Sequence, residues 1–201
     1  MAQFKVFEKG MQVNGQTIMS IVSGMGAFTR LAERFFRQSG LPSPNEIVAD
    51  ANTWYSQQKW LDAFFLISQK VGSSTLYQIG RNIPKNAVFP PDITSVETAL
   101  QSIDVAYHMN HRNKHGTVLF DPTRNDRVML EGIGHYKYEK AAEPNKVVLI
   151  CENPYPCDFD RGIIVEMARR FDISAHVYHD DTQPCRKRGG NSCTYIVTWK
   201  N

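Results

Sequence analysis

The hydrophobic pattern changes period near residue 116, and this change constrains the fold more than any other feature of the chain. Before it, apolar side chains recur at three- and four-residue steps. After it, short β-branched runs alternate with turn signals. Ile18, Ile21, Val22, Met25, Phe28, Leu31, Ala32, Phe35 and Phe36 predict one helix over 17–38, closed by Gly40 with Pro42 and Pro44. Gly24 and Gly26 in its middle predict a kink or a close helix contact. A second helix over 56–71 places Trp60, Ala63, Phe64 and Ile67 on one face, and Gly72 ends it. Ser73 or Ser74 then caps a short helix through Leu76 and Ile79. Pro84, Pro90 and Pro91 with Asn86 predict a loop over 84–91. Ser95, Glu97 and Thr98 open a further helix that runs to about His111. At the start of the chain, 4–13 reads as a short strand turned by Asn14-Gly15.

Beyond residue 116, the segments 117–120, 127–132, 146–151, 175–179 and 194–199 read as strands. One amphipathic helix over 161–171 interrupts them, with Ile163, Ile164, Met167 and Ala168 facing inward. Helices followed by strands predict an α+β fold, with N-terminal helices packed on a C-terminal antiparallel sheet that carries one inserted amphipathic helix. The 201 residues suit a single domain, 1–115 being its mainly helical half and 116–201 its mainly sheet half.

Composition narrows the function classes. Hydrophobic residues make up 42% and aromatics 11%, enough for a core and too many for a disordered chain. With 23 basic and 20 acidic side chains, charge gives no reason to expect nucleic acid as a partner. The densest basic cluster, Arg186-Lys187-Arg188 before two glycines, reads as a solvated turn. Met1-Ala2-Gln3-Phe4-Lys5 lacks the apolar run of a signal peptide, and no window is apolar enough to span a bilayer. A cytoplasmic location follows as the expectation. There, four cysteines read as thiols or metal ligands before disulfides.

Cys185 and Cys193 flank a Gly-Gly turn as Cys-x7-Cys, and Cys157 precedes the inserted helix. Soft thiolates so placed suit zinc, which takes four donors in a tetrahedron. The fourth donor could be His179, Asp180 or Asp181, of which His179 is the softer. Free buried thiols and a Cys185–Cys193 disulfide are the competing readings. Cys157 with His179 could also act as nucleophile and base of a thiol enzyme, and a metal-dependent enzyme stands beside it. No glutamate sits in an adjacent zinc-hydrolase motif, so a metal here reads as structural and the chain as a non-enzyme.

The segment from Gly162 to Trp199, with Cys185-Arg-Lys-Arg-Gly-Gly-Asn-Ser-Cys193, resembles the tail of 4-vinyl-reductase-type domains. Their fold is shared with haem nitric-oxide-binding domains and the small TRAPP trafficking subunits. The resemblance implies a structural zinc on Cys157, Cys185 and Cys193, and a glutamate just before the final cysteine pair. Thr182 stands at that position, which leaves His179 or Asp181 to substitute. It implies further a small apolar or aromatic ligand held between helices and sheet. The signal would pass to a partner signalling protein or through a homodimer.

Aromatic density in the helical half, including Trp60, Phe64, Tyr77 and Tyr107, suits such a pocket, with Asp104 and Tyr107 as possible anchors. His108, His111 and His115 follow at three- and four-residue spacing. Among them His108 is the candidate ligand for haem, the alternative cofactor, although polar neighbours read as an exposed helix end. The Tyr-x-Ser-x-Arg signature of the haem domains is absent. His135 follows Gly132-Ile133-Gly134, which reads as a bulge with room for a ligand or as a twisted hairpin. Asp158 or Asp160 reads as a helix cap.

Overall fold

A computed structural model describes residues 3–49 and 52–200, so the reading of Met1-Ala2 lies outside the described residues. The architecture is α+β, as the change of period requires. Seven helices pack on two antiparallel sheets. The elements are β1 (Gln12–Asn14), α1 (Gly15–Met25), α2 (Thr29–Ser39), α3 (Pro44–Ala49), β2 (Trp54–Ser56), α4 (Gln57–Lys70), α5 (Ser73–Asn86) and α6 (Val96–Met109), followed by β3 (His111–Arg112), β4 (His135–Lys140), β5 (Lys146–Glu152), α7 (Cys157–Arg169), β6 (His176–His179) and β7 (Cys193–Thr198). The small sheet has strand order β2-β1-β3 and the large one β4-β5-β7-β6. Among the described residues no helix is long and apolar enough to cross a membrane.

The large sheet turns one face inward by strict alternation. Val147, Leu149 and Cys151 on β5 stand in register with Val197, Tyr195 and Cys193 on β7, and all six are fully buried. Helix α7 covers this face. Helix α5 then crosses α7 so closely that both contact positions are glycine. A Cβ on Gly80 would lie 2.0 Å from the Phe159 carbonyl oxygen, and one on Gly162 would lie 2.2 Å from that of Tyr77. Gly24 does the same for α1 against the backbone of Ile79. Helices α7, α5 and α1 are thus stacked at backbone-to-backbone distance. The close contact read at Gly24 is present, and the kink falls at Gly26, where φ of +50° ends α1.

Several boundaries differ from the sequence reading. The strand read over 4–13 is confined to 12–14, and Asn14 caps α1 by accepting from the Gln16 amide, so the chain enters a helix there without a hairpin turn. The 17–38 helix is two helices, and Pro44, read as a stop, opens α3. Helix α5 extends to Asn86 with Pro84 inside its last turn, so the loop starts later. Helix α6 is opened by a full Ser95–Thr98 capping box and stops at Met109. The segments 117–120 and 127–132 form no strand beyond a single bridge at Val118, and β4 takes the sheet edge in their place. Helix α7 begins four residues earlier than read, at Cys157.

Replacing Gly162 by alanine should overpack the α5–α7 crossing and cost about 1–3 kcal/mol. Urea unfolding followed by circular dichroism measures this; an unchanged midpoint would show that the helices can part there at no cost.

Candidate functional sites

Three side-chain constellations lie within or against the core: a thiol cluster, an apolar cavity and a histidine–aspartate cluster. The thiols come from three elements. Cys157 opens α7 after Pro156, Cys193 opens β7, and Cys185 precedes a 3-10 turn over Arg186–Arg188. Gly189 has φ of +86°, and the Gly190 amide donates to the Cys185 carbonyl at 2.9 Å, which folds the loop back on itself. The Sγ atoms are 3.0 Å (Cys157–Cys193), 3.6 Å (Cys157–Cys185) and 3.8 Å (Cys185–Cys193) apart. Zinc–sulfur bonds of about 2.3 Å in a tetrahedron set sulfurs about 3.8 Å apart. A ring nitrogen of His179, at the end of β6, lies within 4.8 Å of all three sulfurs.

His179 Nδ1 lies 2.9 Å from Asp181 Oδ1, while its buried Nε2 makes no hydrogen bond. With Nδ1–H donated to Asp181, Nε2 presents a bare lone pair to the sulfurs. Asp181 therefore orients the histidine, and Asp180 accepts from the Thr182 amide and hydroxyl. Gln3 Nε2 donates to Cys157 Sγ at 2.9 Å, and both the amide and Nε of Arg186 donate to Cys193 Sγ at 3.4 Å. The Cys157 thiol donates to Cys193 and, with Arg186 also beside it, favours the Cys193 thiolate; the same bond and burial push Cys157 up.

Arg186 also joins a buried network. Its guanidinium binds the Asp160 carboxylate and both oxygens of Asn153, while Tyr136 Oη donates to Asp160 Oδ1 at 2.6 Å. The Arg186 and Asp160 side chains are 1% and 0% exposed. Asp160 is thus no helix cap, and Arg186 no part of a solvated turn. Burial pushes Asp160 up to about 6, against the pull of Arg186 and Tyr136.

A cavity of about 40 Å³ lies between α5, α6 and α7, walled by Trp60, Ile83, Phe89, Ile103, Phe159 and Ile163. Its polar lining includes Thr17, Asn110, His111, Tyr107, Tyr136 and Tyr155. His111 Nδ1 is 2.7 Å from the Tyr107 carbonyl, so it carries the proton, and Nε2 accepts from Tyr155 Oη at 2.9 Å. Burial pushes His111 down to about 3, so the ring is neutral near pH 7. Trp60 Nε1 is buried without a hydrogen-bond partner.

The third constellation joins α6 to β4. Asp104 and His108 lie one turn apart, and His135 meets them from the start of β4. Asp104 Oδ2 is 3.1 Å from His135 Nδ1, and Glu131 Oε2 is 3.0 Å from His135 Nε2. The His108 and His135 ring centroids are 4.9 Å apart. His108 and His111 are buried, contrary to an exposed helix end, because α6 stops at Met109 and the chain turns inward as β3.

Of the residues read from sequence as pocket candidates, Trp60 and Tyr107 line the cavity. Phe64 is buried beside Trp60, Tyr77 lies beneath the Arg161 guanidinium, and His108 and His135 belong to the third constellation. Cys157, Cys185, Cys193 and His179 come together. His111, Tyr136, Tyr155, Asp160 and Arg186 were missed as site residues. Only the Pro-Tyr-Pro frame of Tyr155 marked one of them as conformationally fixed.

No protein-family model and no curated protein sequence matches the chain. Solved structures do match, among them haem nitric-oxide/oxygen-binding (H-NOX) domains. A Cs H-NOX mutant carrying 4-cyano-L-phenylalanine superposes with a TM-score of 0.60 at 13% identity, over 94% of this chain and 97% of that one. An oxygen-binding H-NOX domain related to soluble guanylate cyclases gives 0.59 at 14%, over 93% of each chain. The H-NOX domain from Shewanella oneidensis in its Fe(II)CO state gives 0.57 at 14%, over 92% and 98%. At these identities the likeness shows the fold: the chain has the H-NOX fold along nearly its whole length.

Proposed function

We propose that this chain is a ligand-binding sensor domain for a gas-sized or otherwise very small, weakly polar molecule. The observation that carries the reading is the apolar cavity, placed between helices in an H-NOX fold and lined at one end by the His111–Tyr155 pair. At about 40 Å³ it holds a guest the size of a few water molecules. The neutral His111 and the Tyr155 hydroxyl give it one polar end, with the Trp60 indole beside them. The output passes to a partner signalling protein or to a second copy of the chain.

The likeness of fold supports a second reading, a haem-based gas sensor, and supports it better than it supports a zinc-only module. The side chains of this packing do not supply the cradle. A cofactor-sized pocket runs to several hundred Å³ or roughly 300–1,000 Å³, against about 40 Å³ here. No Lys or Arg lines it to take propionates, and both nitrogens of His111 are engaged. His108 keeps a free Nε2 but lies outside the cavity, against Asp104 and His135.

For the thiol cluster we propose a structural zinc on Cys157, Cys185, Cys193 and His179, with Asp181 orienting the histidine. The donor set supports this: three sulfurs at separations of 3.0–3.8 Å and a bare imidazole nitrogen match what zinc takes. Held so, the start of α7, the 185–193 loop and the end of β6 are tied into one unit, as in the 4-vinyl-reductase-type domains that this tail resembles.

Metal analysis and an absorption spectrum of the purified full chain test these readings together. The expected result is one equivalent of zinc without a Soret band. A Soret band with stoichiometric iron would establish the haem reading. The Cys185→Ser variant should lose zinc and about 4 kcal/mol or more of stability; full zinc occupancy in that variant would overturn the ligand set. The neutral His111 adds a pH dependence. Its folded-state pKa lies below the ordinary 6.5, so the unfolded chain binds more protons in the window between. Its contribution is fully present above pH 6.5 and is lost as pH falls toward about 3. Between pH 6.5 and 5 the loss should be about 2 kcal/mol. Urea unfolding at the two pH values should show a shallower dependence in His111→Gln, and an equal slope in both proteins would assign the acid sensitivity elsewhere.

A further inference from the structure

We infer that Asp104, His108 and His135 form a second metal site, for a first-row divalent ion bound through nitrogen and oxygen, with Glu131 as its outer-shell carboxylate. The site shares no residue with the thiol cluster or the cavity wall, and the inference does not depend on the function proposed above.

The backbone sets the donors. Asp104 and His108 lie on one face of α6 at a four-residue spacing. Gly134, with φ of +79°, passes so close to β5 that a Cβ there would lie 1.8 Å from the Glu152 carbonyl oxygen. This brings the next residue, His135, onto α6. Tyr136 donates its amide to Asp104 Oδ1 at 2.8 Å, which leaves Oδ2 for His135.

The electrostatics suit a cation among these side chains. Both nitrogens of His135 face carboxylates, Asp104 on one side and Glu131 on the other. A neutral imidazole carries one N–H and satisfies one of them. The second must be met by a proton or by a metal ion. A proton would meet it as an imidazolium between two carboxylates, but would leave the buried Nε2 of His108 without a hydrogen-bond partner. A metal ion turns that second imidazole into a donor.

Distances agree with this. Two imidazoles bound to one ion through bonds of about 2.1 Å place their ring centroids roughly 4.6–5.3 Å apart, and those of His108 and His135 are 4.9 Å apart. Asp104 Oδ2 and His135 Nδ1, 3.1 Å apart, suit neighbouring coordination positions. One donor atom from each of the three residues lies within 4.8 Å of the others, somewhat wider than a bound set, so binding would draw them together. His108 Nδ1 is 2.8 Å from the Asp104 carbonyl, and Glu131 accepts from His135 Nε2–H. Each ligand ring thus has the outer partner that metal-bound histidines require. Two imidazoles and one carboxylate select ions such as Mn²⁺, Fe²⁺ or Co²⁺, and leave positions open to water or a small ligand.

The test is a Mn²⁺ titration of the zinc-loaded full chain, read by the loss of the free-ion EPR signal. Mn²⁺ competes poorly for thiolates, so it reports on this site alone. Co²⁺ is added in parallel and read by its absorption. The expected result is one equivalent of either ion, without sulfur charge-transfer bands for Co²⁺. Glu131→Gln, at an exposed position that cannot unfold the chain, should weaken binding by about 10–100-fold, and His135→Ala should abolish it. Failure of both ions to bind stoichiometrically would overturn the proposal. So would binding that neither variant changes, or NMR titration of His135 as a plain imidazolium in the presence of either ion.

Discussion

The buried ion pair between Asp160 and Arg186 is the interaction on which the rest of the structure depends. Neither charge reaches solvent, and a lone buried charge costs several kcal/mol, so each must be satisfied within the protein. Arg186 spreads its donors over Asp160, the two oxygens of Asn153 and the Cys193 sulfur. Asp160 receives Arg186 and Tyr136. Five segments therefore meet at one pair: α7, β4, the end of β5, the 185–188 turn and the start of β7. Apolar packing alone would let these segments slide; a hydrogen-bonded charge pair fixes their register.

The same pair lies between the cavity and the thiols. The Tyr136 ring lines the cavity while its hydroxyl holds Asp160, and Arg186 donates to Cys193. A guest that moved the Tyr136 ring would press on the carboxylate that anchors Arg186, and so on the loop that carries Cys185 and Cys193. The tight α5–α7 crossing on Gly80 and Gly162 leaves little freedom for such a strain to dissipate elsewhere. The thiol centre and the cavity are thus parts of one rigid assembly.

What could be read in the sequence follows from how local its cause is. Strands β5 and β7 were legible because alternation along one strand reports a buried face directly, and α4 because its caps and periodicity agree. The segments 117–120 and 127–132 have β-branched residues but no partner to complete a ladder. The edge strand that does pair, His135–Lys140, has the polar outer face that hides an edge. The Cys-x7-Cys loop was legible because one Gly-Gly turn brings its ends together. Arg186 was read as solvated because its neighbours Lys187 and Arg188 are, and Asp160 as a cap because the helix was read to start at Arg161. Their pairing spans 26 residues, and no local pattern encodes it. His108 and His111 were placed on a polar helix end because Asn110, Arg112 and Lys114 surround them. The burial comes from where α6 stops, which its own periodicity does not state.

The histidines follow one rule that separates packing from ligation. In His108, His111 and His179, Nδ1 is tied to an oxygen acceptor: a backbone carbonyl of α6 in the first two and Asp181 in the third. That bond fixes the tautomer and leaves Nε2 as a bare acceptor. In His111, Nε2 takes the Tyr155 hydroxyl, so the ring is satisfied and its role is structural. In His108 and His179, Nε2 is buried and takes nothing from the protein. A buried acceptor without a donor costs about 1–3 kcal/mol, and a fold does not hold two such atoms beside carboxylates and thiolates without return. His179 lies beside the three cysteine sulfurs, and the His108 ring lies beside Asp104 and His135. A cation bound by either set would convert the cost into binding energy.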